Sequence, residues 1–207
     1  LAAQTLVVVE DLYRPYRPKR RTRATIAKEK GLEPLANIIL LQMTDKSLEE
    51  EAKAFLSEEK EVKTVSDAIA GAKDIVAESI SDEADYRIRI RDMTVKKGRV
   101  VSAAKNPKEQ SVYEMYYEYE EPVAKVAGHR VLALNRGEKE KILTVKIEAP
   151  TEDIIRYLEK QVITRGNPNT TPVLKAVVED SYSRLIGPAI EREIRNDMTE
   201  KAEDGAI

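Results

Sequence analysis

The sequence predicts a mainly α protein, an irregular multi-helix bundle with a minor β element. Three observations carry that expectation. Apolar residues recur at three- and four-residue spacing along most of the chain, and Ser or Thr stands ahead of many of these stretches as a ready N-cap. Only one segment, Ile142–Glu148 (I-L-T-V-K-I-E), alternates apolar and polar residues with β-branched side chains.

Taken in order, Leu1–Leu12 reads as the end of a helix, with Leu6, Val9 and Leu12 on one face. Pro15 and Pro18 then force Tyr13–Lys19 into an extended path, since each lacks an N–H and restricts its predecessor. Thr22 caps a helix over Arg23–Gly31, and Pro34 sits in the first turn of the next, which runs to Leu41. Ser47–Lys63 reads as one amphipathic helix with Leu48, Ala52, Phe55 and Leu56 inward. Ser66–Ile80 gives another, with Ile69, Ala72, Ile75, Val76 and Ile80 along one side.

From Ser81 the chain supports two readings. Ile88 and Ile90 alternate with Arg87, Arg89 and Arg91 as in a strand, while the S-D-E start favours a helix carrying Tyr86, Ile90 and Met93. Helix is preferred. Thr94–Lys105 has room for a short strand, Ser111–Glu121 reads as a short helix stopped by Pro122, and Gly128–Asn135 as another. Thr151 caps a helix ending near Val162, and Pro172–Asn196 forms a long last helix that Pro188 should bend or break. The expected organisation is residues 1–62, N-terminal helices with a basic Pro/Arg strip, and residues 63–207, a helical central domain with a small β element.

Composition narrows the chemistry. Cysteine is absent, which removes disulfides, thiolate metal sites and a cysteine nucleophile. The lone histidine, His129, fits a structural place at a helix N-terminus better than an acid–base role, and no acidic pair has a two-metal arrangement. K-K-G-R and T-R-G-N-P each lack the second glycine of a phosphate loop. The tyrosines at 113, 116, 117 and 119 are flanked by Glu114, Glu118, Glu120 and Glu121, so they read as core packing rather than a base-stacking platform. No enzyme, no metal site and no cofactor are expected. No apolar run reaches the roughly 18 residues of a spanning helix, and a cytoplasmic location is expected.

Charge is the most informative feature. Arg14, Arg17, Lys19, Arg20, Arg21 and Arg23 place six cations in ten residues, although the chain as a whole carries −2. The remaining 29 basic residues face 37 acidic ones. Arginine forks and lysine ammoniums suit phosphate oxygens, the prolines lower the entropy lost on fixing the strip, and Tyr16 has a face for stacking. The candidate nucleic-acid contacts are therefore Arg14, Tyr16, Arg17, Lys19, Arg20, Arg21 and Arg23. The competing role for the same residues is to pair with the carboxylates of an acidic body and lace helices together.

Glu10–Ala36 (E-D-L-Y-R-P-Y-R-P-K-R-R-T-R-A-T-I-A-K-E-K-G-L-E-P-L-A) closely resembles a segment of the Tex family of bacterial transcription accessory proteins. His129–Glu140 (H-R-V-L-A-L-N-R-G-E-K-E) and the terminal E-D-G-A-I resemble the family too, in the family's order. The resemblance implies an internal helical fragment ahead of an RNase H-like (YqgF-like) domain, helix-hairpin-helix motifs and a C-terminal OB-fold RNA-binding domain. It implies a non-catalytic scaffold of a nucleic-acid-binding transcription accessory protein, with RNA or DNA, the rest of the full-length protein and the transcription machinery as partners. The alternative is a protein–protein docking module that uses acidic helix faces such as Glu49–Glu61.

Overall fold

The computed structural model describes Asp11 and residues 21–205. The expected helix end at Leu1–Leu12 (Asp11 apart) and the extended segment Tyr13–Lys19 lie outside the described residues. The elements are α1 (Arg23–Glu29), α2 (Glu33–Leu41), α3 (Leu48–Ala52), α4 (Val65–Ser81), α5 (Ala84–Lys97), β1 (Arg99–Ala104), β2 (Glu118–Pro122), α6 (Gly128–Lys139), β3 (Leu143–Glu148), α7 (Thr151–Val162), α8 (Thr171–Asp180) and α9 (Gly187–Gly205). The fold is mainly α with one small antiparallel sheet, as the sequence predicts.

Two compact units divide the chain: one holds the described residues up to Arg87 with Ile155–Gly187, the other Ile88–Ile154 with the residues from Pro188 on. The sequence reading drew a boundary at residues 62 and 63 instead. Residues 63–87 fall in the first unit because α4 is its central helix, packed by α1, α2, α3 and α8.

In the first unit α4 buries Ala68, Ala72, Ile75, Val76, Ala77 and Ile80. Its small residues let neighbours approach closely; a Cβ on Gly71 would overlap the Leu32 side chain. Leu35 and Ile39 of α2 and Leu174 and Val178 of α8 are fully buried, and each such side chain contributes about 1.5–3 kcal/mol relative to exposure. Thr22 and Ser47 cap helices where the sequence places their starts, while the helix expected from Ser66 begins at Val65 behind Thr64. Thr22 Oγ1 accepts from Thr25 N at 3.2 Å, Ser47 Oγ from Glu50 N at 3.2 Å and Thr64 Oγ1 from Asp67 N at 3.0 Å. Gly31, at φ 76, ends the α1 region through the left-handed conformation that glycine adopts without steric cost.

The expected helix Ser47–Lys63 is corrected. It stops after α3 and a short 3₁₀ turn, Lys53–Phe55, and the chain then folds back through paired hydrogen bonds between Ser57 and Val62 (2.9 and 2.8 Å). A continued helix would stack Glu58 against Glu61 one turn apart. The turn, closed by Glu61 N–H to Glu58 O at 3.2 Å, instead buries Val62. Leu56, expected inward, stays exposed.

In the second unit the sheet order is β2-β1-β3, all antiparallel. β3 alternates as its sequence demands, with Leu143, Val145 and Ile147 buried. The helix reading is correct for α5, where Ile90 and Thr94, four apart, are both buried. The helix expected at Ser111–Glu121 is a second correction: only Glu114–Tyr116 forms a 3₁₀ turn, and Glu118–Pro122 is strand β2. Tyr113 and Tyr116 satisfy the three-residue spacing within that turn. Beyond it a helix would crowd Glu118 and Glu121 on one face, whereas pairing with β1 spreads the acids. The long last helix exists, but Pro188 neither breaks nor sharply ends it. A π-helical turn, Ser181–Ile186, precedes Gly187-Pro188 and widens the ladder where proline supplies no N–H.

Candidate nucleic-acid interface

Of the candidate contacts, Arg14, Tyr16, Arg17, Lys19 and Arg20 lie outside the described residues. Arg21 and Arg23 flank the Thr22 cap at the start of α1. Arg21 Nη1 meets Glu29 Oε1 at 2.7 Å, with the two side chains 64% and 50% exposed. A pair so open to water contributes little to stability. Thr22 Oγ1 also donates to Glu78 Oε1 at 3.2 Å, tying the cap to α4.

Arg23 is exposed and lines a groove with Lys30, Leu32, Glu61, Asp67 and Asp74. Three carboxylates and two cations share this groove. A phosphate entering it would meet net negative charge, so Arg23 is better matched to the local acids than to an anion. Arg21 and Arg23 thus both face carboxylates, the surroundings that the competing role of the strip expects.

Arg23 also acts on a network that joins α1, α4 and α8, in which only the Asp180–Arg184 pair, four residues apart, is local in sequence. Arg184 binds Asp180 through Nε–Oδ1 (3.2 Å) and Nη2–Oδ2 (2.9 Å), and its Nη2 lies 3.8 Å from Asp74 Oδ1. The two carboxyls respond oppositely. The Arg184 hydrogen bond holds Asp180 below the usual carboxylate range, while burial pushes Asp74 up despite Arg184 and Arg23. Asp180 thus adds stability above the unfolded carboxylate pKa, and that contribution is lost as pH falls through its lowered folded value. Asp74 does the reverse: ionising it in the folded state is unfavourable, and the penalty disappears as pH drops below the unfolded value. Asp180→Asn is expected to lower Tm at pH 7 and Asp74→Asn to hold or raise it, with both differences vanishing below the carboxylate range. Thermal melts from pH 3 to 7 check this, and the same sign for both variants at pH 7 would contradict it.

Tyr113 and Tyr116 are buried, and Tyr113 donates to Glu140, consistent with core packing. His129 is exposed in the first turn of α6, and among the described residues no cluster of His, Asp or Glu could hold a metal. The acids of α3 sit in its first turn, where Glu49 and Glu50 suit the positive end of the helix and Glu51 accepts from Thr44 Oγ1 at 2.9 Å. Among the described residues no helix is long and apolar enough to cross a membrane.

A family model described as Tex central region-like matches residues 44–207. YdcI of Bacillus subtilis is 57% identical over 202 residues, covering 96% of this chain and 28% of that protein. The transcriptional accessory protein Tex of Neisseria gonorrhoeae is 30% identical over 213 residues, covering all of this chain and 28% of its own length. The human S1 RNA-binding domain-containing protein 1 is 27% identical over 222 residues, covering all of this chain and 22% of its own length. The chain thus spans about a quarter of the length of these relatives. The match to the helical body from residue 44, with similarity to the Bacillus and Neisseria proteins along nearly the whole chain, is decisive: the chain belongs to the Tex family.

Proposed function

We propose that the chain is a non-catalytic helical scaffold that positions the nucleic-acid-binding parts of a longer, cytoplasmic, Tex-type transcription accessory protein. Its strip adds backbone contacts of its own, through Arg14, Arg17, Lys19 and Arg20. The observation that carries this reading is the segregation of charge: six cations in ten residues on a chain of net −2. Several cations elsewhere are engaged by carboxylates, as in Arg91–Glu193 (2.9 Å) and Arg195–Glu138 (2.7 Å). The names of two relatives, a transcriptional accessory protein and an S1 RNA-binding domain-containing protein, support the class of partner. Contacts to phosphate alone carry no sequence preference, so binding to RNA or DNA is sequence-nonspecific.

The test is fluorescence anisotropy of single-stranded RNA and duplex DNA across a salt series. Four phosphate contacts give a log–log salt slope of roughly −3 to −4. Arg17→Glu with Arg20→Glu should weaken binding and flatten the slope without unfolding the chain. Arg23→Glu is the wrong variant for this purpose, since it would set a fourth carboxylate beside Glu61, Asp67 and Asp74 and act through folding. Binding that is absent from the parent chain, or unchanged in the folded double variant, overturns the role of the strip.

A further inference from the structure

The sheet has two outer edges, and they are finished differently. In β3 the backbone of Val145 and Ile147 points away from β1, because the β1 ladder uses the alternate residues, as in Lys105 N–H to Ile142 O at 2.9 Å. Side chains of α9 meet both groups. Ile147 N–H donates to Glu191 Oε2 at 2.6 Å, and Arg195 Nη1 donates to Val145 O at 3.2 Å. Arg195 is itself held by Asn135 Oδ1 at 3.0 Å and Glu138 Oε1 at 2.7 Å. One helix turn thereby stands in for a fourth strand and closes this edge.

Among the described residues the β2 edge has no such cover. Ala104 N–H to Tyr117 O (3.1 Å) and Val123 N–H to Gly98 O (3.0 Å) fix which residues face β1. Glu118 and Glu120 therefore turn their N–H and C=O outward, and their side chains are exposed. Pro122 has the same outward parity and no N–H, so an added ladder would stop there. The connector leading into β2 presents Val112 at 86% and Met115 at 62% exposure. Residues 106–122 carry five glutamates and only Lys108 in opposition. Glu120 lies 3.5 Å from Arg99, and Glu121 accepts from the Tyr119 hydroxyl, which leaves Glu109, Glu114 and Glu118 without an ionic partner among the described residues.

We propose that the outer edge of β2 docks an extended basic segment of a protein partner, which adds to the sheet as a fourth strand. Charge selects that occupant. Two β2 edges brought together would oppose Glu118 and Glu120 to their own copies, so a second chain of this protein is disfavoured. Acids on a short edge also guard against aggregation, but the exposed Val112 and Met115 work against that purpose and suit an apolar residue on the partner. The chain's own basic strip does not fit. Pro15 and Pro18 are three residues apart and of opposite parity, so either register puts a missing N–H into the ladder. The arriving strand satisfies Glu118 and Glu120 through its backbone and places Lys or Arg beside their carboxylates.

The test uses the whole chain with a labelled seven-residue peptide of alternating lysine and valine. A control peptide of the same sequence and charge carries N-methyl groups on its inner amides, which removes the ladder donors in either strand direction. The alternating peptide should bind, and amide exchange at Glu118 and Glu120 should slow by about tenfold or more while Lys146 is unaffected. The N-methylated peptide should bind about fivefold to tenfold more weakly, the factor that loss of one hydrogen bond represents. Glu120→Pro, which deletes an outward N–H and spares the β1 ladder, should cost a similar factor. Equal binding of the two peptides would reduce the contact to charge attraction and overturn the proposal. Protection of Glu118 and Glu120 in the chain alone, rising with its concentration, would overturn it in favour of self-association.

Discussion

Gln42→Ala is expected to destabilise the first unit by about 3 kcal/mol, because one buried amide satisfies several backbone groups at once. Gln42 ends α2 in the left-handed region at φ 57, which turns its side chain back under the helix end. There Nε2 donates to Val162 O at 2.9 Å and to Leu40 O at 3.1 Å, while Oε1 accepts from Thr164 N at 3.1 Å and Arg165 N at 3.3 Å. The junction is extended by Asn167, whose Nδ2 donates to Gln42 O at 3.2 Å and Thr44 O at 3.1 Å. Truncation leaves the Val162 carbonyl and two amides without partners, each costing roughly 1 kcal/mol or more where water enters poorly. Gln42→Glu should cost a comparable amount above the carboxylate pKa, since it sets an oxygen against two carbonyls, and should recover in acid. Gln161→Ala, an exposed change on α7, should stay within about 0.5 kcal/mol. Urea unfolding of the three variants checks the set; parity of Gln42→Ala with Gln161→Ala would mean that water replaces the amide without loss.

No feature of the sequence marks Gln42. Its partners lie about 120 residues away, and a polar residue after L-L reads as a helix end facing solvent. The same physical limit accounts for what was legible elsewhere. Helices with their own cap or stripe, such as α1 behind Thr22 and α4 with Ala72, Ile75, Val76 and Ile80, announce themselves within a dozen residues, and so does the alternation of β3. β2 does not, because Y-E-M-Y-Y-E-Y-E-E satisfies a helical spacing until β1 is there to pair with it. The stretch after Phe55 also has helical composition, and it turns back because Val62 gains burial that no local pattern foretells. At the candidate site the cluster of cations was legible as charge. What was hidden was that Arg23 shares a groove with Asp74, which in turn lies beside Arg184, a proximity that only the tertiary fold creates.

Gly98→Ala is expected to cost about 3 kcal/mol, the upper end for overpacking, because the obstruction is backbone on both sides. The residue interrupts T-V-K-K-G-R-V-V and leaves that stretch undecided by pattern alone, yet it is the pivot from α5 to β1. Its N–H donates to Thr94 O at 2.7 Å, and its own carbonyl accepts from Val123 N at 3.0 Å. A Cβ there would overlap the Thr94 carbonyl and stand 3.2 Å from Glu148 O. Thr94 cannot recede, since it is buried and its hydroxyl is bonded to Ile90 O at 2.8 Å. Glu148 is fixed opposite Arg99 in the β1–β3 register. Replacing glycine also restricts the unfolded chain, which by itself stabilises by about 0.4–1 kcal/mol, so the steric effect must exceed that gain to be seen. Gly166→Ala isolates the gain, because nothing lies within 4 Å of its added methyl. The expected result is therefore opposite signs: a lower urea midpoint for Gly98→Ala, with faster amide exchange along β1, and an equal or higher midpoint for Gly166→Ala. Matching behaviour of the two would show that the α5 terminus yields to a methyl group and that the sheet does not depend on this close approach.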